Sequence, residues 1–304
     1  LGLPFQNLLP ETEIQKVLDE LKIKYRQRLF DPFVTLWAFL SQVLESDKSC
    51  HNVVSRIISY LVDEKVELPS TDSSAYCQAR SRLPEELLHK LFTKAGQNLS
   101  DKVTDEYLWC GRNVKVIDGS SVSMPDTVEN QKAYPQSSSQ KPGCGFPIAK
   151  IGVIFSLACG AAVALAIDVL NTHDLKLARK LYQFLNPSDV LLGDRAFCAY
   201  ADLIAIKNLG CDAVFRKHQS RKTTTRKGKI IGESDKLVTW HKPKKCPKGL
   251  SESEFLTLPS TLIVREIYYY IIVPGFRTQR VSLITTLLDT KIYSTLNVLK
   301  LYGE

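Results

Sequence analysis

The chain has 304 residues, of which 44% are hydrophobic and 24% charged, an ordinary globular mixture that excludes disorder, collagen and coiled coil as descriptions of the whole chain. The length predicts about two domains. The formal net charge of +8 is unevenly distributed: residues 216–248 contain twelve Lys or Arg and two acids, a net charge of +10. The other residues, with 28 basic and 30 acidic side chains, carry −2, so the basicity belongs to one segment.

The N-terminal third is predicted to be a small all-α domain covering residues 1–105. Apolar residues recur at three- and four-residue spacing in segments 10–29, 32–46, 50–64 and 84–99, which predicts four amphipathic helices. A shorter helix follows the N-capping side chains of residues 71–74. It carries Arg80 and Arg82, which are candidates for DNA contact, although a solvated helix surface is the simpler interpretation.

The pattern changes in residues 106–215, where short apolar strands alternate with helices. A strand at 114–117 ends at Asp118 and is followed by a polar loop, an apolar hairpin at 148–169 and a helix that starts near Thr172. A second strand, at 190–192, precedes Gly193-Asp194, and a further helix leads to a third strand at 212–215. This order predicts an α/β layer built on a mixed sheet.

The hairpin region contains seventeen consecutive residues without a charge, Ile151 to Ile167. Such a stretch is also close to the ~20 residues that a membrane helix needs. The β-branched residues at its start and Cys159-Gly160 near its middle favour two buried strands joined by a tight turn. We therefore expect no membrane association.

The remainder divides into a β-rich basic insertion at residues 216–290, with a turn signal at Pro274-Gly275, and a short helix at 291–304. The eight cysteines are widely spread and none has CxxC spacing, which predicts a reducing, cytoplasmic location rather than a zinc site or a secreted disulfide framework. The N-terminus has no signal-peptide pattern and no initiating Met, so we expect a fragment or a processed chain.

Two carboxylates are the candidate catalytic residues. Asp118 and Asp194 each follow a short apolar strand beside a glycine, and carboxylates at strand ends of a mixed sheet can converge. Such a pair attracts Mg²⁺, which prefers oxygen ligands, and two such ions support phosphoryl transfer. The alternative is that each aspartate caps a strand-to-loop turn.

These motifs are similar to those of a known family. VIDGSSVSMPDTVENQKAYPQ, KPGCGFPIAKIGVIFSL and LLGDRAFCAY occur in this order and resemble the DDE transposases of bacterial insertion sequences, of the IS-four type. The resemblance implies a ribonuclease H-like fold with a β-rich insertion, catalytic and metal-binding roles for Asp118 and Asp194, and two Mg²⁺ or Mn²⁺ ions. It also implies cleavage at terminal inverted repeats, strand transfer into target DNA, a homodimeric synaptic complex and a place at the bacterial nucleoid.

The family's third carboxylate is a Glu in the pattern Tyr-x-x-Arg-x-x-x-Glu-x6-Lys. Tyr302 matches the Tyr, and the Arg and Glu would fall after Glu304, so we expect residues 1–304 to lack the third acid. Two alternatives stay open: an inactive DNA-binding remnant, and a ribonuclease H-like nuclease without strand transfer.

Further residues are candidates with structural alternatives. Basic side chains near the strand ends are expected to contact DNA phosphates: Arg195, Arg216, Lys217, Arg221 and Lys222. A nearby carboxylate partner explains Arg195 equally well, and a solvated basic loop is the alternative for the others, for which the concentration of charge favours DNA. His173 and Asp126 are site-adjacent candidates, as is Tyr302, but a helix start and a turn account for the first two. The resemblance implies that an aromatic residue of the insertion holds a flipped base. Trp240 is the candidate for this role, and the alternative is that its indole only packs within a β hairpin.

Overall fold

The computed structural model describes residues 9–63, 70–219, 221, 228–272, 275 and 278–303. The chain forms two compact units, Leu1–Leu99 and Ser100–Glu304. Lys222 and Pro274 of the sequence-based predictions lie outside the described residues.

The first unit is helical, as predicted. Its helices are α1 Glu11–Glu20, α2 Pro32–Leu44, α3 Cys50–Asp63, α4 Ser74–Ser81 and α5 Glu85–Ser100. The apolar faces meet in two clusters, one built from α1, α2 and α5 around Trp37, the other from α2, α3 and α4 around Tyr76. Burial of these amphipathic faces, rather than helix propensity, provides most of the stability of such short helices.

Helix α1 is shorter than predicted, because it ends at Glu20 and not near residue 29. Lys22 adopts a left-handed conformation, with φ of 53°. The N–H of Lys22 donates to the carbonyl of Asp19 (3.0 Å), and that of Ile23 donates to the carbonyl of Leu18 (2.9 Å). This is a Schellman motif, which usually carries glycine at the left-handed position. Because a lysine stands there, the sequence contains no signal for the end of the helix. The predicted helix therefore extends too far, into a segment at 23–27 that is irregular in the structure.

The second unit contains one large mixed sheet. Its described strands are β1 Val114–Ser123, β2 Ile148–Ser156, β3 Ala162–Val169, β4 Val190–Gly193, β5 Asp212–Arg216, β6 Lys229–Gly232, β7 Asp235–His241, β8 Thr261–Ile271 and β9 Gln279–Thr285. They are arranged in the order β3-β2-β1-β4-β5-β9-β8-β7-β6. Strands β1, β4 and β5 are parallel, and the other pairings are antiparallel. The mixed α/β class is therefore as predicted.

The described part of the second unit contains five α-helices. They are α6 Val128–Ala133, α7 Asp174–Leu181, α8 Tyr200–Asn208, α9 Glu252–Thr257 and α10 Thr295–Gly303. One core packs α7 and α8 on the face that includes Ile117, and the other packs α10 on the face that includes Val114. Successive residues of a strand point to opposite faces, so these two cores fix the direction of each side chain along β1.

The uncharged stretch forms the predicted hairpin of β2 and β3, in which Gly152 pairs with Ala166. Gly160, in the turn, has φ of 68°, a conformation that glycine adopts without strain. None of the helices in the described part of the chain is long and apolar enough to cross a bilayer.

The structure adds to or changes the predicted elements in three further respects. Strand β1 continues to Ser123, because β2 pairs with it up to Ser123↔Ile148, whereas β4 leaves it at Ile117↔Gly193. The second half of β1 is exposed and lacks an apolar pattern, which is why it was predicted as loop. Helices α6 and α9 lie inside segments predicted as loop and β-rich. The insertion strands also extend the same sheet, since β9 pairs with β5 at Val214↔Thr285.

Candidate active site

The structure brings Asp118 and Asp194 to the same edge of the sheet. Ile117 of β1 and Gly193 of β4 are paired in parallel register, and each is followed by one of these aspartates. Both side chains are exposed. Oδ1 of Asp118 accepts the N–H of Gly119 (2.7 Å), and Oδ1 of Asp194 accepts the N–H of Ala196 (2.6 Å). Among the described residues, the second carboxylate oxygen of each has no hydrogen-bond partner.

Both carboxylates lie on the face that α10 covers. Val114 and Val116 of β1 pack into the core beneath α10, so the alternation of side chains places Asp118 on that side. Asp194 is close enough to Tyr302 of α10 for its charge to help raise the pKa of that hydroxyl. The two aspartates therefore share both an edge and a face.

A close backbone approach precedes Asp194. A Cβ built on Gly193 would lie 2.9 Å from Cγ2 of Ile117, 3.0 Å from Phe215 and 3.1 Å from Phe197. These neighbours are buried, so no side chain fits there without displacement. The glycine lets β4 pack between β1 and β5, which keeps the two aspartates on neighbouring strands.

Tyr302 joins this edge from the last turn of α10. Its hydroxyl donates to the carbonyl oxygen of Gly193 at 3.2 Å. Burial raises the pKa of Tyr302 to about 12, and Asp194 contributes in the same direction while Arg216 opposes it. Tyr302 is therefore a neutral hydroxyl at physiological pH, and Arg216, at the end of β5, brings a positive charge to the same place.

His173 lies on the opposite side of the sheet. A Cβ on Gly119 would lie 3.5 Å from Oδ1 of Asp174, which places the start of α7 on the face away from Asp118. Asp174 is in an ion pair with Lys150 (2.7 Å), and Nδ1 of His173 accepts the N–H of Leu175 (3.3 Å) as the helix N-cap. These contacts support the structural interpretation of His173. The Lys150–Asp174 pair was not found from sequence, where a lysine inside an apolar strand was its only signal.

Asp126 is exposed in the turn before α6. Its Oδ1 accepts a hydrogen bond from Nε2 of Gln131 at 2.8 Å, while Thr127 caps the helix. This contact supports the turn interpretation of Asp126.

The candidate phosphate-binding residues divide into two groups. Arg195 is exposed beside Asp194, and Arg216 is partly exposed beside Tyr302. The ammonium of Lys217, in contrast, is in an ion pair with Glu266 at 2.8 Å, with side chains only 6% and 3% exposed. Because this charge is already buried and paired, the expectation that Lys217 contacts phosphate finds no support in the structure.

Arg221 and Trp240 also differ from expectation. Trp240 is 5% exposed and belongs to the core around α7 and α8. The guanidinium carbon of Arg221 lies 3.6 Å from the centre of the Trp240 ring, and burial lowers the pKa of Arg221. The indole is therefore covered by a cation and by the core, and packing accounts for it better than base capture does. Lys222 lies outside the described residues.

The donor set at the edge suits a hard cation. Among the described residues no three His, Cys, Asp or Glu side chains cluster as a complete metal site. Asp118 and Asp194 follow register-paired residues of neighbouring strands, both are exposed, and each has one carboxylate oxygen without a hydrogen-bond partner among the described residues. Carboxylate oxygens with room for water are the ligands that Mg²⁺ prefers, so this pair fits as part of a magnesium site.

Comparison with known proteins agrees with this geometry. Residues 3–93 match the family described as insertion element 4 transposase N-terminal, and residues 109–303 match the transposase DDE domain. The chain is similar to the transposase InsG for insertion sequence element IS4 of Escherichia coli (strain K12), with 26% identity over 235 residues. The matched region covers 75% of this chain and 51% of that protein, so the chain spans about half the length of this curated relative. Because the DDE domain match alone covers more than half of its residues, the chain belongs to the DDE transposase family, with an IS4-type N-terminal region and a ribonuclease H-like second unit.

Proposed function

We propose that this protein is an insertion-sequence transposase that cuts DNA at transposon ends and transfers the resulting 3′-hydroxyl into target DNA. The observation that carries the proposal is the position of Asp118 and Asp194. They follow register-paired residues of two parallel strands and lie on one face of the sheet. In a member of the DDE family, this arrangement supports a catalytic role for both acids.

Asp118 and Asp194 would hold the divalent cations, two Mg²⁺ or Mn²⁺ ions. When bound, such ions activate the attacking oxygen and stabilise the leaving oxygen of a phosphoryl transfer. The protein's own contribution is to fix the two carboxylates: the backbone N–H of Gly119 and that of Ala196 each hold one oxygen. The second oxygen of each exposed side chain would bind a cation at this edge, where a scissile phosphate would be received.

Neighbouring side chains would orient this phosphate. Tyr302 keeps its proton at neutral pH because burial raises its pKa, and it donates a hydrogen bond to the carbonyl oxygen of Gly193, so the hydroxyl does not act as a base and holds the backbone beside Asp194. Arg195 and Arg216 bring positive charge to the same edge and would form charge-assisted contacts with phosphate oxygens. Such contacts position DNA without reading its sequence.

The partners follow from the reaction. We propose that the protein binds terminal inverted repeats and target DNA, works as a homodimer in a synaptic complex and acts at the bacterial nucleoid in the cytoplasm. We keep the predicted functional division, with DNA contact in residues 1–105, the catalytic core in 106–215, the insertion in 216–290 and the final core helix from 291. The third acid of the family pattern completes the site in this proposal.

The proposal is tested by replacing each aspartate with its neutral isostere. Asp118→Asn and Asp194→Asn should each abolish Mg²⁺-dependent nicking of an end-bearing duplex, since the amide is a poor ligand for a hard cation. Affinity for the duplex, measured in EDTA, should stay equal or rise slightly, because a negative charge is removed from a phosphate-receiving site. The measurement uses a protein that carries the third acid of the family pattern.

The matched control is Asp126→Asn, which removes an exposed carboxylate that contacts Gln131. It should cleave at close to the parental rate. Near-parental cleavage by a folded Asp118→Asn or Asp194→Asn protein would show that this aspartate is not a ligand. Joined products distinguish a transposase from a nuclease, so nicking without any strand transfer would contradict the transposase proposal.

A further inference from the structure

The helical unit contains a basic groove of about 350 Å³. It lies between the irregular segment after α1, the start of α2, and the connection from α4 to α5. Four exposed cations line it, together with the rings of Tyr25 and Phe30: Lys24, Arg26, Arg28 and Arg82. Three of these cations come from the segment that the sequence wrongly predicted as helix, so the groove exists because α1 ends at Glu20.

The charges around this groove are not balanced within the described part of the chain. None of the four cations has an ion-pair partner among the described residues, and Asp31 is the single acid in the lining. Oδ1 of Asp31 accepts the N–H of Val34 at 2.9 Å, as the cap of α2. Like charges gathered in one concave site attract an anionic ligand.

Other cations of the same unit are arranged differently. Ion pairs with Glu13, Glu45 or Glu20 hold the side chains of Lys16, Arg56, Lys90 and Lys94. These four paired cations therefore differ from the four cations of the groove, which have no such partners among the described residues.

A buried hydroxyl provides an independent indication of a ligand. Thr35 of α2 lines the groove and is only 1% exposed, yet its Oγ1 has no hydrogen-bond partner among the described residues. A buried hydroxyl without a partner is costly, and native proteins pair most such groups. An oxygen of a ligand in the groove would satisfy it.

We propose that this groove binds the phosphate backbone of DNA. The cations Lys24, Arg26, Arg28 and Arg82 contact phosphate oxygens, and the hydroxyl of Thr35 donates a hydrogen bond to one of them. The inference rests on the proposed function, which supplies DNA as the anionic ligand. It assigns the DNA contact proposed for residues 1–105 to the phosphate-binding side chains of one groove, which are different residues from those at the edge that carries Asp118 and Asp194.

The first experiment compares two variants that each remove four positive charges from the helical unit. The groove variant carries Lys24→Gln, Arg26→Gln, Arg28→Gln and Arg82→Gln. The control carries Lys16→Gln, Arg56→Gln, Lys90→Gln and Lys94→Gln. Binding to a fluorescein-labelled duplex of arbitrary sequence is measured by anisotropy in EDTA over a range of salt concentrations. The slope of log K against log salt should flatten by about two to three units in the groove variant and by less than one unit in the control.

The second experiment uses Thr35→Val, which removes the hydroxyl and keeps the shape. Affinity for the same duplex should fall roughly tenfold, because a hydrogen bond to a charged phosphate is lost. The Tm should stay the same or rise, since the buried hydroxyl has no partner in the free protein. A lower Tm with parental affinity would mean that Thr35 is purely structural and would overturn its assignment.

The outcomes separate this inference from the proposed function. A parental salt slope in the groove variant, or an equal change in both four-charge variants, overturns the groove while the active-site proposal stands. Absence of salt-dependent DNA binding by the parent chain overturns the proposed function itself. If the groove variant does not fold, the single variants Arg28→Gln and Arg82→Gln carry the same comparison, each expected to flatten the slope by somewhat under one unit.

Discussion

Single residues of the basic segment illustrate how burial decides the role of a charge. Lys217 and Glu266 form a buried pair, and Lys236 lies 4.0 Å from the same carboxylate. Arg265 and Asp235 form another, at 0% and 2% side-chain exposure. Such pairs stabilise poorly relative to apolar packing, but removal of one partner leaves an uncompensated buried charge. These buried charges therefore stabilise the sheet and do not contribute to a surface that binds nucleic acid.

We expect Lys217→Met to lower the free energy of unfolding by about 3 kcal/mol, because Glu266 loses its nearest partner. Urea denaturation measures this change. The salt dependence of DNA binding by the folded protein should stay parental, since Lys217 is not exposed. Arg195→Gln with Arg216→Gln is the matched comparison. It should change stability by about 0.5 kcal/mol or less and flatten the salt slope. A stable Lys217→Met protein with a flatter slope would reverse the assignment.

At the scale of elements, the edge of the sheet depends on how closely β1, β4 and β5 pack. Gly193 permits this approach because it has no side chain. Its carbonyl oxygen also accepts a hydrogen bond from the hydroxyl of Tyr302, so this residue connects the three strands to α10. The same position precedes Asp194. The close packing of β4 at Gly193 therefore determines the position of Asp194, the proposed metal ligand.

Gly193→Ala should lower the free energy of unfolding by about 1–3 kcal/mol, because the added methyl group would overlap Ile117 and Phe215. It should also reduce cleavage by shifting Asp194. Thermal denaturation and the nicking assay measure the two effects. Gly303→Ala in α10 is the control, since a Cβ there meets nothing within 4 Å. Equal Tm values for the two variants would show that β4 has room that the structure does not display.

At the scale of the whole molecule, the two units have separate apolar cores. Trp37 belongs to a core of the helical unit, whereas Trp109 packs against the core beneath α10 and Trp240 lies in the core of α7 and α8. A chain with independent cores does not have to unfold in one cooperative step.

We expect the two units to unfold in transitions that do not coincide. In a Trp37→Phe variant, tryptophan fluorescence reports only on the second unit, while far-ultraviolet circular dichroism also follows the helices of the first. The midpoints in urea should differ between the two probes. One shared midpoint, with the same dependence on urea, would indicate that the units unfold together.

The sequence by itself determined the elements whose signals are local. Periodic apolar residues predicted the helices of the first unit, and an uncharged stretch with a central glycine predicted the hairpin of β2 and β3. The motifs around Asp118 and Asp194 predicted the family, which the comparisons confirmed. These predictions succeeded because burial periodicity and turn chemistry are properties of a few neighbouring residues.

The tertiary structure alone decided which partner each residue meets. It ended α1 at a left-handed lysine, extended β1 along an exposed partner strand and joined the insertion to the main sheet. It also paired Lys217 with Glu266 and buried Trp240 beneath Arg221, although both side chains looked available in the sequence. The physical reason is that strand pairing and the burial of a charge depend on residues far apart in the chain. Composition and residue spacing describe residues that are close in the sequence, so they do not predict those contacts.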